Sequence, residues 1–151
     1  SRNSRSCMSL TWLDRALKID EEDPEIWVYL AELMQDLELR EEAFMSYLRA
    51  LSLDPHQPDV LASMGNLAFD DGNYAKALSL YEAAREMDPA LPGLNLFFAL
   101  AYAKMDQTDQ AMTYLEKAVA VEPKALDLFR EIMMEEDEPN EGANTPTDSP
   151  S

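Results

Sequence analysis

Along residues 24–37, PEIWVYLAELMQDL, the apolar Ile26, Trp27, Leu30, Leu33, Met34 and Leu37 recur at intervals of three and four. That is the spacing of one face of an α-helix. After a polar break, Ala43, Phe44, Tyr47, Leu48, Ala50 and Leu51 repeat it. Asp71 to Asn73 is an Asp-Gly-Asn turn signal between two further stretches of this kind, and Asp106 to Asp109 plays the same part later. Pro24, Pro58 and Pro92 fit a first helical turn, where a missing N–H costs little, and Asp23 fits as the cap of the first. Pro55, Pro89 and Pro123 stop the helices before them. The pattern predicts a succession of helical hairpins.

The hairpins are copies of one unit. Pro24, Pro58 and Pro92 stand 34 residues apart, as do Pro55, Pro89 and Pro123. Small residues keep the same interval: Ala31, Gly65 and Ala99; Ala43, Ala77 and Ala111; Ala50, Ala84 and Ala118. So do the bulky Tyr47, Tyr81 and Leu115. The small columns predict close helix crossings, where a larger side chain would cost about 1–3 kcal/mol by overpacking. Gly65 gives up about 1 kcal/mol of helix propensity relative to alanine, which points to close packing there. An amphipathic hairpin cannot bury its apolar face alone, so neighbouring copies must stack.

In this register the chain resembles the tetratricopeptide repeat, whose pattern sets a bulky residue, Leu, a small residue and an aromatic in the first helix, then Ala, an aromatic, Ala and Pro in the second. Trp27, Leu30, Ala31, Met34, Ala43, Tyr47, Ala50 and Pro55 carry it in the first copy. Leu61, Met64, Gly65, Ala68, Ala77, Tyr81, Ala84 and Pro89 carry it in the second. Asn95, Phe98, Ala99, Tyr102, Ala111, Leu115, Ala118 and Pro123 carry it in the third. Met34, Ala68 and Asn95 depart mildly. The resemblance implies an all-α, right-handed superhelical solenoid with repeats at 24–57, 58–91 and 92–124. Residues 1–23 match only a second helix, through Leu13 and Ala16, and read as a partial repeat whose array continues upstream. Residues 125–136 read as a capping helix, with Leu126, Phe129, Ile132 and Met133 as its buried stripe. Residues 137–151, DEPNEGANTPTDSPS, lack periodicity and read as a disordered acidic tail.

Charge narrows the partners. Thirty acidic residues against 12 basic ones leave a net charge of −18, which repels nucleic-acid backbones and anionic lipid. No apolar run approaches the roughly 18–20 residues of a membrane helix. Catalytic, cofactor and metal chemistry finds no motif. The single histidine, His56, lies in a turn between prolines, and the single cysteine, Cys7, lies near the start without a nearby histidine. One cysteine and no signal segment lean toward the cytoplasm. Trp12 and Trp27 read as core or groove residues. The acid runs Asp20 to Asp23 and Glu135 to Glu138 lack the loop of a calcium site and read as solvated charge. Thr145-Pro146 and Ser149-Pro150 are short motifs of low information.

The resemblance further implies an inner groove lined by the first helix of each hairpin, holding a peptide or a partner helix. Groove positions are then Glu25, Val28, Tyr29, Glu32, Gln35 and Asp36; Asp59, Ala62, Ser63, Asn66, Phe69 and Asp70; and Leu96, Phe97, Leu100, Ala103 and Lys104. Relatives that grip a chaperone's acidic C-terminus use Lys, Arg and Asn here. In the first two copies only Asn66 fits that pattern, while Glu32, Asp36, Asp59 and Asp70 oppose it. A non-catalytic scaffold or adaptor for a basic or basic–apolar polypeptide is favoured. Against this stands the reading that the acids only keep the surface soluble. LNLFFALAYA, residues 94–103, is apolar all around except Asn95, leaving Leu96, Phe97 and Leu100 toward the groove. Such a patch anchors a partner, or else the capping helix or a second copy covers it. Two alternatives follow: a secretion-type chaperone shielding an apolar segment, and a homo-oligomer formed through the patch or the unpaired N-terminal helix.

Overall fold

A computed structural model of the chain describes residues 21–135. Residues 1–20 of the expected N-terminal partial repeat and the C-terminal tail therefore lie outside the described residues, as do Cys7, Trp12, Thr145 and Ser149. Among the described residues the secondary structure is helical throughout: α1 Pro24–Asp36, α2 Arg40–Leu53, α3 Pro58–Asp70, α4 Tyr74–Met87, α5 Leu94–Lys104, α6 Thr108–Val121 and α7 Ala125–Glu135. Helices α1 and α2, α3 and α4, and α5 and α6 pack as hairpins, and each hairpin leans on the next, with α7 resting on α5 and α6. The result is a helical solenoid.

Local chemistry sets the boundaries at the same point of each unit. Asp23 accepts a hydrogen bond from the Glu25 N–H at 2.9 Å, capping α1, and Pro24 and Pro58 occupy the first turns of α1 and α3. At the far end of each hairpin, Asp54, Asp88 and Glu122 precede a proline and are extended, with φ of −138°, −143° and −137°. The proline ring excludes the helical conformation from the residue before it, so the helix ends there. Their N–H groups still reach Ala50, Ala84 and Ala118, at 3.0, 2.9 and 2.9 Å.

Within each hairpin the turn takes one left-handed residue. Glu38, Gly72 and Asp106, spaced by the repeat interval, have φ of 61°, 81° and 59°. The following N–H groups, of Leu39, Asn73 and Gln107, fold back onto the carbonyls of Met34, Ala68 and Tyr102 at 2.8, 2.9 and 3.0 Å. These bonds satisfy helix-end carbonyls. Pro92 departs from the expected first-turn position. Gly93, at φ 86°, is the N-cap of α5, so Pro92 lies in the turn ahead of the helix. A left-handed residue cannot continue a helix backward from Leu94.

The small columns are buried as a set. Ala31, Ala99, Ala43, Ala77, Ala50 and Ala84 are wholly inaccessible, and Gly65 is buried. Tyr47, Tyr81 and Phe98 are the largest side chains enclosed between them. Within the third hairpin Phe98 stacks on Tyr114 at 4.9 Å, and Tyr102 stacks on Tyr114 at 5.6 Å, a cluster that Arg85 of the second hairpin joins. The Arg85 guanidinium lies 4.6 Å from the Phe98 ring centroid and donates to the Tyr114 hydroxyl at 2.8 Å. A cation over an aromatic face adds roughly 0.5–2 kcal/mol to such a seam.

A candidate partner-binding groove

The first helices of the hairpins carry the positions expected to line a groove. On α1, Glu25, Tyr29, Glu32 and Asp36 follow helical spacing along one face, and all four are exposed, Tyr29 by 61%. Asp59 on α3 is also exposed. The Tyr47 hydroxyl, which donates to Gln35 Oε1 at 3.2 Å, is held above the usual phenol range. Burial is the first cause; Glu32, Asp36 and Asp59 add to it, and a hydrogen bond with Ser63 opposes it. Carboxylates from α1 and α3 thus act on one point between the first two hairpins.

One repeat further on, the corresponding tyrosine builds a pocket. The Tyr81 hydroxyl donates to Asn66 Oδ1 at 2.7 Å, and its ring stacks on Phe97 at 5.5 Å. Burial, then the charge of Asp70, raises the Tyr81 phenol well above its ordinary value. Beside it opens a pocket of about 330 Å3 lined by Asn66, Phe69, Asp70, Tyr81, Phe97, Leu100, Ile132 and Glu135. Five residues expected in the groove meet here, joined by two from α7.

The apolar patch is arranged otherwise than an open anchor. Leu96 and Leu100 are buried, at 9% and 4%, in a cluster with Ala118 and Ala125. Phe129, Ile132 and Met133 of α7 pack against that cluster. The capping helix covers the patch, and only Phe97 and an edge of Leu100 reach the pocket. Two other groove positions are turned inward: Ala62 is core, and Val28 packs against the core of the first two hairpins. Both follow from helix geometry, since these positions border the apolar stripe.

Sequence reasoning missed a second pocket, of about 450 Å3, lined by Arg40, Phe44, Met45, Asp71, Asn73, Lys76 and their neighbours. It lies between α2 and the α3–α4 turn, where Lys76 Nζ sits 4.0 Å over the Phe44 ring. Phe44 carries the helical spacing of a core residue, which is why periodicity hid it. His56 is exposed in its turn, its N–H donating to Asp54 Oδ1 at 3.1 Å. Among the described residues, no three His, Cys, Asp or Glu side chains are grouped to hold a metal ion. No helix among them is long and apolar enough to cross a membrane.

Comparisons with known proteins agree with this architecture. The family model for the tetratricopeptide repeat matches residues 68–133. The chain is 32% identical over 84 residues to human protein O-mannosyl-transferase TMTC1, covering 56% of this chain and 9% of that protein. It spans about a tenth of the length of the first curated relatives it matches. A tetratricopeptide repeat protein from Parabacteroides merdae superposes with a TM-score of 0.71 at 20% identity, over 82% of this chain and 48% of that one. The first repeat domain of Spaghetti (RPAP3), solved with the HSP90 peptide SRMEEVD, superposes with a TM-score of 0.66 at 17% identity, over 76% of this chain and 94% of that one. The family model matched over residues 68–133 and the shared fold support a tetratricopeptide-repeat architecture for this chain.

Proposed function

We propose that this chain is a non-catalytic interaction scaffold whose groove holds an extended or helical segment of basic–apolar character. The observation that carries this reading is the composition of the wall. The charges of Glu32, Asp36 and Asp59 act on the Tyr47 hydroxyl, and Phe69 and Phe97 line a pocket that holds Tyr81, one repeat further on. Carboxylates beside aromatic surface complement a polypeptide that alternates cationic and apolar side chains. The similarly folded RPAP3 domain was solved with an acidic peptide. The acids of this wall would repel such a ligand, so an acidic tail is not the partner we propose. The secretion-chaperone alternative rested on an open Leu96–Phe97–Leu100 patch, and α7 occupies most of that surface. Assembly through the N-terminal helix concerns residues outside those described.

An array of dodecapeptides graded in charge and apolar content tests the proposal. Basic–apolar peptides should be retained, and retention should fall with added salt. Combined Glu32→Lys, Asp36→Lys and Asp59→Lys should weaken retention about tenfold or more, as truncation of rim charges does when several act together. The same charge change through Glu86→Lys, Asp109→Lys and Glu116→Lys, on α4 and α6, should leave it nearly unchanged. Equal retention of SRMEEVD, or equal effects of the two triple variants, would sink the reading.

A further inference from the structure

We infer that the pocket between α3, α5 and α7 is an arginine-accepting subsite, taking the guanidinium of a partner's side chain between Phe69 and Phe97 and against Asp70 and Glu135. The inference rests on the groove reading and names the group that this part of the groove selects.

Three features point to that chemistry. The acids come from different helices, Asp70 at the end of α3 and Glu135 at the end of α7. The aromatic walls are held in place: Phe69 meets Tyr74 edge-on at 5.2 Å, and Phe97 stacks on Tyr81 at 5.5 Å. Asn66 is fixed as well, its Oδ1 taken by the Tyr81 hydroxyl at 2.7 Å. A site that offers acceptors and π faces on a held frame suits a cation better than an anion or an alkyl chain.

Arginine fits this frame better than lysine for geometric reasons. Its guanidinium is planar, presents five N–H donors in a fork and sheds water more readily than an ammonium. A flat group can stack on a phenylalanine ring while its edges address carboxylates on two helices. At about 330 Å3 the pocket has room for such a head and its stem. Ile132 closes the apolar side, so the methylenes behind the guanidinium also find cover.

The test is a titration followed by two-dimensional NMR, using N-acetyl-arginine-methylamide as the probe. N-acetyl-citrulline-methylamide serves as its neutral isostere, and the lysine analogue as the alternative cation. The arginine probe should shift Asn66, Phe69, Phe97 and Ile132 saturably, with citrulline about tenfold weaker and lysine weaker than arginine. Asp70→Asn with Glu135→Gln, both at exposed positions, should abolish the difference between arginine and citrulline while the spectrum stays folded. Scattered shifts over the acidic surface, equal binding of citrulline, or equal binding of lysine would overturn the subsite. Retention of basic–apolar peptides on the array in that event would leave the groove reading standing.

Discussion

The ring of Tyr81 occupies the space that a β-carbon on Gly65 would fill. An ideal Cβ at residue 65 would lie 2.7 Å from Tyr81 Cδ1 and closer still to Cε1. The helix crossing of the second hairpin therefore requires a residue without a side chain. Tyr81 cannot swing aside, because Phe97 stacks on it, Phe98 meets it edge-on at 5.8 Å and Asn66 holds its hydroxyl. One repeat further on, the corresponding positions are Ala99 and Leu115, a side chain without a ring.

Gly65→Ala should accordingly destabilise the protein despite alanine's better helix propensity. The propensity gain is about 1 kcal/mol and overpacking costs about 1–3 kcal/mol, so a net loss of up to about 2 kcal/mol is expected. Adding Tyr81→Leu, which recreates the pairing of the third hairpin, should recover part of the loss relative to Tyr81→Leu alone. Urea unfolding of the four proteins measures this coupling; additive losses would show that the ring is not the obstacle.

The turn column offers the opposite effect. Glu38 and Asp106 hold the left-handed conformation that Gly72 adopts without steric cost. Glu38→Gly and Asp106→Gly should each stabilise by about 0.5–1 kcal/mol, and Gly72→Ala should cost about 1 kcal/mol. Thermal melts of the three variants check the signs. A loss of stability on Glu38→Gly would mean that the glutamate side chain matters more than the backbone there.

Alkaline pH should unfold the protein through its buried phenols. Tyr47 and Tyr81 have folded pKa values raised by burial above the unfolded value of 10.0. Their contribution is complete below that value. It is lost as pH rises past it, since the unfolded chain releases those protons first. The loss approaches about 1.4 kcal/mol per pH unit for each such group. Denaturation midpoints should hold to about pH 9 and fall above about pH 10, with a shallower slope in Tyr81→Phe, and tyrosinate absorbance should rise in step with unfolding. A pH-independent midpoint would contradict the burial argument.

Helix α7 should behave as a cover that can be loosened. Phe129 is half-buried against the Leu96–Leu100 cluster. Phe129→Ala should cost about 2 kcal/mol, below the roughly 3–5 kcal/mol of a fully buried phenylalanine. It should also raise binding of a hydrophobic dye as the leucines beneath become accessible. Unchanged dye fluorescence at a measurable loss of stability would mean that α7 repacks and does not lift.

Much of this architecture was readable from residue spacing, and the reason is that its causes are local. An Asp or Glu before Pro55, Pro89 or Pro123 is forced out of the helical region by the adjoining ring, whatever the rest of the chain does. Apolar spacing of three and four fixes which stripe of each helix turns inward, and the small columns at Ala31, Gly65 and Ala99 mark the crossings. The acids at Glu32, Asp36 and Asp59 were likewise identifiable, because the repeat register assigns every position a side of its helix.

Only the tertiary structure decided what became of α5. LNLFFALAYA is apolar on every side, so periodicity cannot say which face stays open. That depends on α7, more than 20 positions away, docking over Leu96 and Leu100 and leaving Phe97 at the edge of a pocket. Gly93 displaced Pro92 from its expected first turn by one backbone angle that composition does not encode. Short-range sterics and helical period belong to the sequence itself; which surfaces remain uncovered is settled by contacts between segments, where burial of apolar area outweighs any local preference.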